Sequence, residues 1–134
     1  MLRAHKNFAP VPESAAGVRE FTRATALSWG FLADNPVLVA NEFAVNAIEH
    51  AKSAFSVTLA LEAGVGTEVA DRSPRLPKLE RSSDLEAEGC GLQIVETLSA
   101  RLGASALPTG KEVWAELAVV VTDLDAAGQQ LESR

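Results

Sequence analysis

Cysteine is nearly absent. A single Cys90 in 134 residues gives no disulfide framework and too few thiols for a zinc site. Positive charge is also short: the chain carries a net charge of −6, which argues against nucleic acid or an anionic membrane as its main partner. No apolar run approaches the length of a membrane span, and the opening MLRAHKNFAPVPES lacks the apolar stretch of a signal peptide. These absences lead us to expect a soluble, cytoplasmic protein. No internal repeat and no divisive linker is visible. The length suits one domain, expected over residues 1–121, followed by a polar tail at 122–134.

The most informative stretch that is present is PVLVANEFAVNAIEHA, from Pro36 to Ala51. It reads as a helix, with Asn35 as N-cap and Pro36 where a missing N–H costs nothing. At about 100° per residue, Ala40, Ala44, Ala47, Ile48 and Ala51 share one apolar face. Glu42, Asn46, Glu49 and His50 form a narrow polar strip opposite, flanked by Leu38, Val39 and Val45. So narrow a strip on an apolar helix suits a site better than bulk water. Glu42 and Asn46 are one turn apart; a carboxylate can orient or deprotonate a nucleophile, and an amide oxygen can hold a hard cation such as Mg²⁺.

Before this helix, Lys6–Ala9 reads as an edge strand stopped by Pro10 and Pro12. Ser14 is the expected cap of a helix with Val18, Phe21, Thr25 and Trp29 on one side and Gly30 as its stop. Arg19 and Arg23, one turn apart on it, are either plain surface charges or a contact for an acidic partner. After the central helix, Phe55, Val57, Leu59 and Leu61 alternate as in a strand with one buried face. Gly64 and Gly66 mark a turn into a second strand, Thr67–Ala70, which runs directly into Asp71.

Residues 72–90 then lose all periodicity, with a basic first half (Arg72, Arg75, Lys78, Arg81) and an acidic second half (Asp84, Glu86, Glu88). A loop this long inside a domain is often an active-site lid, and a merely solvated loop is the alternative. It closes on Gly89-Cys90-Gly91-Leu92, expected to open a helix reaching about Leu102, with Gly103 as its stop. Two glycines at a helix start let backbone N–H groups approach an anion. Ala104–Leu107 and Glu112–Val121 are the remaining strands. The apolar end of the last one points to burial on both faces or to a dimer contact.

The ordered set is a helix bearing E-x-x-x-N-A-x-x-H, a strand ending in Asp, a long lid and G-x-G-L opening a helix. It resembles the GHKL (Bergerat-fold) ATPase superfamily, and within it the small anti-sigma-factor serine/threonine kinases. The resemblance runs from about Phe8 to Leu117 and is carried most closely by NEFAVNAIEHA and GKEVWAEL. It implies an α/β fold of the two-layer sandwich kind, with helices on one face of a mixed, mostly antiparallel sheet.

It also implies roles. Asn46 would be the Mg²⁺ ligand bridging the phosphates of ATP, and Glu42 the base that orients the attacking hydroxyl. Asp71 would accept the exocyclic amine of adenine. Gly89 and Gly91 would let the lid backbone wrap the phosphates, with Leu92 of the same motif and His50 completing the candidate nucleotide-binding set. His50 matches a histidine frequent in this branch, and packing accounts for it equally. The implied substrate is a serine on an anti-sigma-factor antagonist, and the implied partners are that antagonist, a sigma factor and a second copy of the chain.

Three positions depart from the family pattern. Asp71-Arg72-Ser73-Pro74 stands in place of D-x-G-x-G, Cys90 replaces an arginine, and Glu112 stands where threonine commonly supports the adenine-binding aspartate. A glutamate beside Asp71 would repel it, raise one carboxyl pKa, or point away. These departures favour the alternative of a GHKL-fold binding module with weak or no catalysis, regulating by partner occupancy. The ATP-binding half of a histidine kinase fits poorly, because there is no room for a phosphoacceptor helix pair and His5 lies outside any helical pattern.

Overall fold

The computed structural model describes residues 2–75 and 87–119, with the backbone alone over 87–92. Five strands form one sheet: β1 (Leu2–Phe8), β2 (Phe55–Leu61), β3 (Val65–Asp71), β4 (Arg101–Leu107) and β5 (Gly110–Leu117). Their order across the sheet is β1-β2-β3-β5-β4, and every neighbouring pair is antiparallel. The expected mixed sheet is therefore corrected to a fully antiparallel one among the described strands. Each partner is reached by a hairpin or by a helical excursion that returns the chain in the opposite sense.

Three helices, α1 (Glu13–Ser28), α2 (Asp34–Asn46) and α3 (Ala87–Leu98), accompany the sheet. The alternation of β3 and β5 decides which face they cover. Val65, Thr67, Val69 and Asp71 on β3 are buried, as are Lys111, Val113, Ala115 and Leu117 on β5, while the residues between them are half-exposed. Val57, Val69, Val113, Ala115 and Leu117 form one core with Val18, Val39, Ala40, Phe43, Ala44 and Val95 from the helices. The helices thus lie on one face, as the resemblance implies.

β1 begins earlier than its apolar pattern shows, because its pairing with β2 runs from Leu2↔Leu61 to Phe8↔Phe55. Phe8 anchors that edge: its ring stacks on Phe55 at 5.6 Å and meets Phe21 edge-on at 6.4 Å. In α1 the buried stripe is Val18, Thr22 and Ala26, so Phe21, Thr25 and Trp29 flank the core rather than fill it. Gly30 does stop this helix, with φ of +89°, a conformation open to glycine at no steric cost.

The expected caps are corrected. Pro12 occupies the N-cap of α1 and Ala33 that of α2, neither with a side-chain capping bond; Ser14 and Asn35 lie inside the first turns. The third helix is shifted as well. It is already formed at Ala87 and ends at Leu98, where the Ser99 hydroxyl donates to the Val95 carbonyl at 2.6 Å. Leu102 and Gly103 belong to β4, whose pairing with β5 starts at Arg101↔Glu116. Alternation of small and apolar residues over 101–107 is compatible with either period, and the ladder with β5 decides it. β5 ends at Leu117; the apolar extension at 120–121, the tail at 122–134 and the lid segment 76–86 lie outside the described residues.

Candidate functional site

The central helix holds its polar strip against a buried face. Val39, Ala40, Phe43 and Ala44 are buried in the core, which fixes the rotation of α2 and leaves Glu42 and Asn46 half-buried on the adjoining side. Glu49 and His50 are exposed. Burial raises the Glu42 carboxyl pKa above its ordinary value, and the nearby Glu49 carboxylate raises it further. A carboxylate whose pKa is raised is a stronger base towards a hydroxyl proton.

Directly after Asn46 the helix changes its winding. Ala47–Ala51 is a π-helical turn, closed by Lys52 in the left-handed conformation at φ 53°, with the Lys52 N–H donating to the Ala47 carbonyl at 2.9 Å. Single π-turns gather at functional sites, and a left-handed lysine is a strained choice that surrounding structure must impose. Here the turn delivers the chain to Ser53, whose hydroxyl accepts the Arg72 N–H at 3.0 Å. That bond ties the end of the central helix to the residue following Asp71, so the helix and Asp71 meet at one end of the domain.

Arg19, flagged for its place on α1, donates from its guanidinium to the Asn41 side-chain oxygen at 2.8 Å. This exposed bond clamps α1 to the residue preceding Glu42. Arg23 has no such contact described.

Asp71 ends β3 on the core face and is 7% exposed. Its Oδ1 accepts the Ser73 N–H at 2.8 Å, so the Ser73 that replaces glycine still supplies backbone support to the carboxylate. Both oxygens also contact Lys111 Nζ, at 3.0 and 2.9 Å. Lys111 is itself 7% exposed and faces Asp71 across the β3–β5 ladder. Gly110, next to it, packs so tightly that a Cβ there would lie 2.6 Å from the Arg72 Cα.

This pair was missed on the sequence, which placed the support of Asp71 at position 112. A signal existed. Lys111 shares strand parity with Val113, Ala115 and Leu117, the apolar face of β5, whereas Glu112 shares parity with Trp114 and Glu116. Glu112 accordingly points away from Asp71. It sits on the helix-free face of the sheet beside Glu68, where partial burial and the Glu68 carboxylate raise its pKa, with Arg3 opposing the shift. A groove of about 310 Å³ on that face is lined by Arg3, Glu68, Arg101, Glu112, Trp114 and Glu116. It lies across the sheet from the Glu42, Asn46 and Asp71 set.

Of the remaining sequence-derived candidates, Gly89 and Gly91 lie within α3, so the helix starts before them rather than at them. The side chains of Leu92 and Cys90 lie outside the described residues. α3 packs against α2, with Val95 in the core that both helices share. Among the described residues no helix is long and apolar enough to cross a membrane.

Comparisons with known proteins agree with this fold. A family model for the histidine kinase-like ATPase domain matches residues 8–117. Among solved structures, the chain is similar to the crystal structure of the RsbU and RsbW domains of Rv1364c from Mycobacterium tuberculosis, at 20% identity and a TM-score of 0.68. That match covers 89% of this chain and 33% of the other, so it spans about one third of the length of that chain. At such identity the likeness shows the fold. No curated protein matches the chain significantly in sequence.

Proposed function

The chain belongs to the histidine kinase-like ATPase domain family, and from that premise we propose that it is an ATP-binding regulatory protein kinase of the anti-sigma-factor type. The observation that carries this reading is Glu42: a half-buried carboxylate with a raised pKa, one turn before Asn46, on the helix whose core face fixes its direction. Such a group can take the proton of a serine hydroxyl and orient its oxygen.

The residues present fit a magnesium nucleotide. Among the described residues no three His, Cys, Asp or Glu side chains gather to hold a metal. Mg²⁺ commonly takes one or two protein oxygens together with substrate phosphates and water, and Asn46 supplies such an oxygen. The cation, when bound, neutralises charge developing on the transferred phosphoryl group. The chain's own contributions are Glu42 as base, Asp71 as acceptor for the adenine amine, and the Gly89–Gly91 backbone for the phosphates, with His50 and Leu92 as the remaining members of the proposed nucleotide-binding set.

The proposed substrate is a serine or threonine of an anti-sigma-factor antagonist, and the proposed second partner is a sigma factor, both met in the cytoplasm. A homodimer is proposed as the acting form. The RsbW domain of the structural neighbour shares the fold on which this reading is built.

One observation favours a second reading. Lys111 contacts both oxygens of Asp71, so a base must approach a carboxylate that already has partners. If that engagement excludes nucleotide, the chain regulates by partner binding without catalysis. Calorimetric titration with ATP, with and without Mg²⁺, on wild type and Asn46→Ala separates the two. Mg²⁺-dependent binding lost in the variant supports the kinase reading, and an inert wild type supports the binding module. Phosphate transfer to a serine-bearing antagonist, abolished by Glu42→Ala with ATP binding spared, would identify the base.

A further inference from the structure

The rung that pairs Asp71 with Lys111 is unlike the others on its face of the sheet. The preceding rungs on that face are Val65↔Leu117, Thr67↔Ala115 and Val69↔Val113, none of them ionic. We propose that Lys111 is a base-reading residue of the nucleotide site. Its ammonium, fixed across the Asp71 carboxylate, offers a remaining N–H to the ring nitrogen beside the exocyclic amine that Asp71 accepts. This inference rests on the nucleotide-binding reading above.

An ammonium has three N–H donors, and the two contacts of Lys111 Nζ with Asp71 occupy at most two. A carboxylate offers about four acceptor positions. The Ser73 N–H and the two lysine contacts take at most three of those on Asp71. What remains is at least one donor on Lys111 and at least one acceptor position on Asp71, paired at the end of β3. The Watson–Crick edge of a 6-aminopurine presents the complement: an amine N–H beside a ring nitrogen that can only accept.

A purely structural pair explains less. Replacing a buried ion pair by apolar side chains is often neutral or stabilising, and the other rungs on the core face of this ladder are already apolar or small. The ionic rung falls at the residue to which the nucleotide reading assigns the base. Lys111 also takes over the supporting role that the family gives to a threonine hydroxyl, and a charged donor discriminates more strongly than a hydroxyl.

The test compares ATP with its 1-deaza analogue, in which the ring nitrogen is replaced by CH, in calorimetric titrations of the full chain. Wild type is expected to bind ATP about tenfold or more tightly than the analogue, as expected when a charged donor is left unpaired. Lys111→Met is expected to bind ATP no better than the analogue, whereas Lys111→Gln, which keeps an N–H donor, retains part of the preference. A structural role alone would lower both ligands together and leave their ratio unchanged. Equal binding of the two by wild type, or unweakened ATP binding by Lys111→Met, overturns the inference and leaves the proposed function standing. Binding of neither by wild type overturns the proposed function and the inference with it. Should Lys111→Met fail to fold, the wild-type ratio and the Lys111→Gln variant decide.

Discussion

Glu68 and Glu112 meet side by side on the helix-free face of the sheet, and the Glu112 carboxyl is held above its ordinary pKa by partial burial and by its neighbour. A carboxyl whose folded pKa exceeds its unfolded value binds protons more readily when folded. Stability therefore falls as pH rises from about 4.5 through the raised value. Glu112→Gln removes that loss. We expect the variant to be more stable than wild type at pH 7 by about 0.5 kcal/mol, the scale of solvent-screened surface charges. The difference should vanish in acid, which thermal melts across pH will reveal; a difference independent of pH would refute the pairing.

Thr67 carries a second, opposite lesson about polarity. It is buried on the core face of β3, and its hydroxyl has no hydrogen-bond partner among the described residues. Burying an unpaired hydroxyl costs free energy, and valine fills nearly the same space without it. Thr67→Val should raise stability by about 1 kcal/mol in denaturant titration. A clear loss would mean that the hydroxyl is satisfied in solution.

Periodicity made the central helix, the β2–β3 hairpin and the placing of Glu42, Asn46 and Asp71 legible. These depend on local pattern: Ala40, Ala44 and Ala47 are buried where the helical period puts them. What stayed hidden depends on pairing. Glu112 was set beside Asp71 by counting from a motif, whereas the register Asp71↔Lys111 and the alternation of β5 turn Glu112 to the other face. Leu102 looked helical because its spacing from Val95 and Leu98 fits that period, yet the ladder with β5 claims it. The π-turn at Ala47–Ala51 left no mark in composition, since alanine and isoleucine serve either winding.

Gly110 shows how closely β5 approaches the end of β3. A Cβ at this position would press into the Asp71 carbonyl and lie 2.6 Å from the Arg72 Cα, and neither is a flexible side-chain end. The backbone must move to admit it. Gly110→Ala should cost about 3 kcal/mol, the upper range for overpacking, measured by chemical denaturation. Because the moving strand carries Lys111, nucleotide affinity should fall with it. A variant of unchanged stability would show that the two strands part more easily than their pairing implies.

Glu42 gives the prediction that joins electrostatics to catalysis. Its raised pKa has two causes, burial first and the Glu49 carboxylate second. A base must be ionised to act, so phosphate transfer should be lost as pH falls through the Glu42 pKa, with a midpoint above the ordinary value of 4.5. Glu49→Gln removes the second cause and leaves the first. The acid limb of the rate profile should therefore move to lower pH while the plateau at neutral pH stays within about twofold, since Glu49 is exposed and holds no assigned role. If Glu42 only positioned the helix, the acid limb would not follow residue 49. A limb that stays in place in Glu49→Gln would remove Glu42 as the titrating base, whereas a limb that moves would assign it by a change made one side chain away from the chemistry.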